Sequence, residues 1–140
     1  MNVLHKELQL RIYYEDTDHG GVVYYANYLK FMERARTEFL REIGLDLVEI
    51  EATYGVLFAV REAHIQYHTP ARFNELIEVQ TTLISLRGAA LAFKQLIFRH
   101  NIAIVSATIQ LACINSAGKA TRVPAPLSDQ LNNYIYPESV

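Results

Sequence analysis

Three acids and two glycines crowd into seven positions: Glu15-Asp16-Thr17-Asp18-His19-Gly20-Gly21. Repulsion among Glu15, Asp16 and Asp18 makes such a run unfavourable unless something gains from it. The run leaves an alternating, strand-like segment and leads into the longest helical pattern in the chain. That order sets a carboxylate in a tight turn beside the amide-rich start of a helix, an end that attracts anions and polarises carbonyls. Gly20 and Gly21 can adopt backbone angles closed to other residues, or let a ligand approach closely. Val22, Val23, Tyr24 and Tyr25 follow, and would wall the carboxylate with apolar and aromatic surface. The pattern points to carboxylate chemistry on a polarised carbonyl, with Asp18 as the reactive group. The plain alternative is that the acids complement the helix dipole, and that Asp and Gly simply make the turn.

Other residues with chemical potential are weaker candidates. His64 and His68 have the spacing that binds zinc on a helix. On a strand the same spacing separates them by roughly 13 Å, too far to share a metal, so no metal site is expected. Cys113 lies in the apolar run Ile109-Gln110-Leu111-Ala112-Cys113-Ile114 and reads as a small core residue rather than a nucleophile. There is no G-x-S-x-G elbow, no P-loop and no glycine fingerprint after a strand.

The elements that must position Asp18 follow from hydrophobic periodicity. From Lys6 to Tyr14 polar and apolar residues alternate, with Leu8, Leu10 and Ile12 on one side. From Ala26 to Ile43 the period becomes helical. Tyr28, Met32, Ala35, Phe39 and Ile43 form an apolar stripe, Phe31 and Leu40 widen it, and Gly44 stops it. Arg34 and Glu38 are spaced to pair across one turn, and Asn27 is a candidate cap. Asp46 to Thr53 reads as a short helical turn or loop. Strands are expected over Leu57–Thr69, Leu76–Leu86, Ala89–Arg99 and Ile102–Asn115, broken at Thr69-Pro70, Arg87-Gly88, His100-Asn101 and Ser116-Ala117-Gly118. Leu127 to Tyr136 could form a terminal helix. The order implies an α+β fold with an antiparallel sheet and one principal helix. One helix covers one face of a sheet only, so a symmetric homo-oligomer is expected to cover the rest.

The totals bound this reading. A length of 140 residues suggests one domain, 1–140, with a real core. At 51% hydrophobic and 20% charged residues the chain is ordinary for a globular protein and not disordered. No apolar run approaches the roughly 18 to 20 residues that span a bilayer. Met1-Asn2-Val3-Leu4-His5-Lys6-Glu7 carries an acid where a signal peptide would be apolar, so a cytoplasmic location is expected. The single cysteine excludes an intrachain disulfide and a cysteine zinc site. A formal charge of −2 offers no global field for nucleic acid.

Tyr13-Tyr14-Glu15-Asp16-Thr17-Asp18-x-Gly20-Gly21-Val22-Val23-Tyr24, with Ala26-Asn27-Tyr28 and Phe31-Met32-Glu33-Arg34-Ala35-Arg36-Thr37-Glu38, resembles the hot-dog-fold acyl-CoA thioesterases. The match is nearest the YbgC-type, Tol-Pal-associated branch of the 4-hydroxybenzoyl-CoA thioesterase family. Phe58-Ala59-Val60-Arg61, Tyr67-x-x-Pro70-Ala71-Arg72 and Leu86-Arg87-Gly88 extend the resemblance over nearly the whole chain. It implies a hot-dog fold, a long helix wrapped by a curved antiparallel sheet of about five strands. It also implies a homodimer that pairs its sheets, or a homotetramer, and no cofactor. The second acid of the family's D-x-D-x-x-G motif, its catalytic aspartate, falls on Asp18, and the carbonyl-polarising amide falls near Tyr25. Gly20, Gly21, Val22, Val23 and Tyr24 would border the substrate, an acyl-CoA or an acyl-carrier-protein thioester. Arg87 is the first candidate for the phosphates of coenzyme A, with Arg72 and Arg61 behind it. Related sequences often carry His where this chain has Tyr25, and His19 is a loop residue beside the aspartate.

Two other readings compete. A hot-dog dehydratase would need a histidine paired with an acid, and His64 and His68 lack that context. A non-catalytic acyl-binding or scaffold protein would have no need of Asp18.

Overall fold

The computed structural model describes residues 6–138. Five strands form one antiparallel sheet: β1 (Lys6–Arg11), β2 (Leu57–Tyr67), β3 (Leu76–Arg87), β4 (Ala90–Arg99) and β5 (Ile102–Ile114). Their order across the sheet is β1-β3-β4-β5-β2. The long helix α1 (Asn27–Glu42) lies against β3 and β1. This is the hot-dog arrangement that the resemblance implied. Among the described residues no helix is long and apolar enough to cross a membrane.

The periodicity argument explains what α1 buries. Tyr28, Phe31, Met32, Ala35, Phe39, Leu40 and Ile43 are all core residues. They share one core with Ile77, Val79 and Leu83 of β3, Phe93 and Ile97 of β4, and Val105 and Ile109 of β5. Phe39 stands edge-on to Phe93 with ring centroids 5.6 Å apart. One polar side chain joins them: Arg36 on α1 is also buried.

Several boundaries differ from expectation, each for a local reason. Residues 47–54 form a helix, α2 (Leu47–Tyr54), because Asp46 caps it by accepting from the amides of Val48 and Glu49, and Gly55 closes it in the left-handed region at φ 67°. The terminal helix α3 spans Ala125–Asn132, starting directly after Pro124. Asn27 does not cap α1; its side-chain amide donates to the Asp16 carbonyl instead. Glu38 pairs with Arg41 rather than Arg34.

Cys113 is fully buried, and burial pushes its thiol above the usual range. We expect a thiol reagent such as DTNB to leave the native protein unmodified and to titrate one thiol per chain only in denaturant. Rapid native labelling would mean that the end of β5 opens readily.

Candidate active site

The acidic turn is a small braced structure. Tyr14–Asp16 make one 3-10 turn. The Asp16 carboxylate accepts the Tyr13 amide at 2.8 Å, and its carbonyl accepts both the Tyr24 amide and the Asn27 side chain at 2.9 Å. Asp16 therefore ties the turn to the start of α1. Thr17 bridges to Val23, and Val22 bridges to Arg72. Between these rungs the loop turns on Gly21 at φ 77°, a conformation that suits glycine.

Asp18 sits at the tip of this loop, exposed. Its Oδ1 accepts the Gly20 amide at 2.8 Å, and the Gly21 amide closes on its carbonyl at 3.1 Å. Oδ2 has no partner among the described residues. One carboxylate oxygen is thus held and the other is open. A Cβ at Gly20 would lie 3.3 Å from Oδ1, so a larger residue would push that oxygen by a few tenths of an ångström.

The chain then enters α1 through Tyr24 and Tyr25. Asn27 and Tyr28 donate their amides back to the carbonyls of Tyr24 and Tyr25. The amides of Tyr25 and Ala26 find no acceptor among the described residues. They are the open donors of the helix start. Tyr24 and Tyr25 are exposed, with ring centroids 4.8 Å apart, and the Tyr25 side chain holds the Tyr24 phenol above its usual range. Val22 is half-buried and Val23 is turned into the core, so the two tyrosines form the wall where the sequence suggested all four residues.

Tyr67, quoted above only within a motif, sits at this corner. Its hydroxyl donates to the Tyr25 carbonyl at 3.2 Å, and its ring meets those of Tyr25 and Tyr28 at 6.2 and 5.5 Å. Burial raises its phenol. The Tyr28 hydroxyl in turn accepts the Ala71 amide at 2.9 Å. These ties cross 42 and 43 positions of sequence, and no local pattern announces them. A hydrogen bond to the Tyr25 carbonyl fixes the same peptide unit that carries the Ala26 amide. We expect Tyr67→Phe to lower kcat for the chemistry at this corner about 2- to 10-fold, the scale of one neutral hydrogen bond of about 0.5–1.5 kcal/mol, with the melting temperature nearly unchanged. An unchanged kcat would mean the tie is idle.

The arginines do not gather here. Arg72 lies one bridge from Val22. Arg87 opposes Ala90, which opposes Ala112, which opposes Ala59. That row meets β2 eight residues from Tyr67, about 26 Å along the strand. Arg61 is at the β2 bulge. Within one chain neither Arg87 nor Arg61 is brought to Asp18. His19 is exposed on the loop.

Residues 13–131 match the family described as the thioesterase-like superfamily. The chain is 38% identical over 117 residues to the acyl-CoA thioesterase YbgC of Haemophilus influenzae, covering 84% of this chain and 85% of that one. It is 42% identical over 107 residues to the acyl-CoA thioester hydrolase YbgC of Escherichia coli, covering 76% and 79%. Among solved structures, a probable thioesterase from Bartonella henselae superposes with a TM-score of 0.82 at 35% identity, covering 86% of this chain and all of that one.

Proposed function

This chain belongs to the thioesterase-like superfamily, and from that premise we propose that it is an acyl-CoA thioester hydrolase whose reacting carboxylate is Asp18. The observation that carries the reading is an open Asp18 oxygen on a loop that Asp16 ties to the start of α1, where the Tyr25 and Ala26 amides have no partner among the described residues. A thioester carbonyl directed at those amides has its oxygen stabilised as negative charge develops there, a contribution of about 3 kcal/mol for one such donor. The Tyr25 amide is the donor we assign.

Two routes fit. In the first, Oδ2 of Asp18 attacks the carbonyl carbon, the carbon–sulfur bond breaks, and the thiolate leaves with the electron pair and takes a proton. Water then opens the mixed anhydride to the free acid and regenerates the carboxylate. In the second, Asp18 accepts a proton from a water that attacks the carbonyl directly. Gly20 and Gly21 keep the loop close to the thioester, and Tyr24 and Tyr25 shield it.

The reading includes a symmetric homodimer. β2 is a sheet edge, with Val60 53% and Tyr67 45% exposed. Antiparallel pairing of β2 with its copy reverses one strand against the other. The Arg61 and Arg87 end of the partner's sheet then approaches the Tyr67 end of this one, so the coenzyme A phosphates would meet arginines from the second subunit.

The test is free-thiol release from a panel of short, long and aromatic acyl-CoAs, with wild type and Asp18→Asn side by side. Turnover by wild type supports the reading. Absence of thiol release across the panel would sink it in favour of an acyl-binding protein, and equal rates in both proteins would remove Asp18 from the mechanism.

A further inference from the structure

Beyond the Tyr25 corner α1 and β2 run side by side as two walls. One wall is the flank of α1 that carries Leu29, Glu33, Arg36 and Leu40, residues that share a face at helical spacing. The other wall is the core-side row of β2, from Tyr67 through Ile65 and Ala63 to Val60. The two run antiparallel. Tyr28 meets Tyr67 at one end, and Leu40 shares a cleft with Val60 at the other. Leu29, Ala63 and Val60 are exposed along them.

At the far end of these walls lies a cleft of about 250 Å³, lined by Leu40, Phe58, Val60 and Leu111, with Arg36 and Glu33 at its rim. Arg36 is 8% exposed. One of its terminal nitrogens donates to Oε1 of Gln95 at 2.9 Å. Gln95 is fully buried and spends its own amide on the Met32 carbonyl and the Thr81 hydroxyl, so it has little more to give. No carboxylate lies within ion-pair distance of Arg36 among the described residues. Glu33 is exposed and takes the Thr37 hydroxyl at 3.0 Å. No buried side-chain nitrogen or oxygen is both occluded and unpaired. The donors of Arg36 that Gln95 does not take therefore keep some accessible surface, and Arg36 lines the cleft.

A guanidinium with several donors, desolvated and paired only to a neutral amide, is costly to keep. Burial draws it below its usual range, opposed by the Glu33 charge. An oxygen anion in the cleft would restore what burial removed, through the two-pronged geometry that suits carboxylates.

Resting on the thioesterase reading, we infer that the acyl chain lies between these walls and that Arg36 binds a carboxylate at its distal end, so that the preferred substrates are mono-thioesters of dicarboxylic acids. Tyr25 and Arg36 are about 16 Å apart along α1, which suits chains of about 10 to 14 carbons.

The experiment compares kcat/KM for matched pairs of acyl-CoAs of equal length, one ending in methyl and one in carboxylate. Wild type is expected to favour the carboxylate by about 10- to 100-fold, the range for hydrogen bonds to a charged group. Arg36→Gln should bring that ratio to within about threefold of unity. A wild-type ratio near unity overturns the inference without any variant, and that result would point to a carboxylate of the partner subunit as the ion Arg36 meets. An unchanged ratio in folded Arg36→Gln overturns it too. If methyl-ended thioesters are cleaved and depend on Asp18 while the end group is ignored, this inference fails alone. If no thioester is cleaved, the thioesterase reading fails with it.

Discussion

Asp18→Asn is expected to lower kcat/KM for thioester hydrolysis by about 10²- to 10⁴-fold, the span that a positioned carboxylate supplies. The substitution is a narrow one. Asn keeps the Oδ1 acceptor that the Gly20 amide uses, and it matches Asp in size, so the loop has no reason to move. What it removes is the negative charge on the open oxygen. On the proposed reading that oxygen acts as nucleophile or base, and an amide is poor at both. Because Asp18 is exposed, its stabilising contacts are few, and the melting temperature should stay within a few degrees. Substrate binding should persist, since the Tyr25 and Ala26 amides and the α1 and β2 walls are untouched. The measurements are steady-state thiol release, a thermal melt, and equilibrium binding of a non-hydrolysable acyl-CoA thioether. A variant that loses both turnover and binding would recast Asp18 as a structural brace. Hydroxylamine added during wild-type turnover separates the routes: a mixed anhydride yields acyl hydroxamate faster than the thioester does alone, and general-base catalysis gives no such excess.

The strand and helix pattern was legible because it rests on burial periodicity. Every apolar position assigned to the stripe of α1 is buried, from Tyr28 to Ile43. The alternation of Leu8, Leu10 and Ile12 puts Ile12 fully in the core with the other two packed against it. Arg36 breaks that pattern. Its position lies on the buried side, yet its type says surface, and among the described residues it is the side-chain amide of Gln95, 59 residues away, that accommodates it. The acidic turn and its place beside a helix start were legible because Asp, Gly and a helix start are local features. Its bracing was not. Asp16 works through its backbone carbonyl, which any residue has, and Tyr67 reaches Tyr25 from another element. The placement of the basic residues was hidden for a related reason. Arg87 sits at a turn as expected, but the register of three strand pairs sets that turn at the far end of the sheet from Asp18.

Phe39→Ala is expected to cost about 3–5 kcal/mol of stability, the range for deleting a fully buried aromatic ring. Phe39 is 0% exposed, among the largest side chains buried this completely, and stacks edge-on against Phe93. The sheet on one side and α1 on the other are fixed by hydrogen bonds of their own, so the space can collapse only partly. Against a total stability of about 5–15 kcal/mol, that loss is a large fraction. It should appear as a lower urea midpoint with an unchanged slope, compared at fixed protein concentration because the proposed subunit association would also contribute. The site itself should survive. Phe39 is about 21 Å along α1 from Tyr25, and the ties of Asp16, Asn27, Tyr67 and Tyr28 that shape the Asp18 corner do not pass through it. The folded fraction at low temperature should therefore keep a kcat within about threefold of wild type, as expected for sites this far apart with no shared partners. A loss below about 1 kcal/mol would mean that this contact is not a main buttress of the helix on the sheet. A collapse of kcat in folded protein would mean that the helix start moves with its far end, and that the corner is held by the packing of α1 as a whole rather than by its own hydrogen bonds.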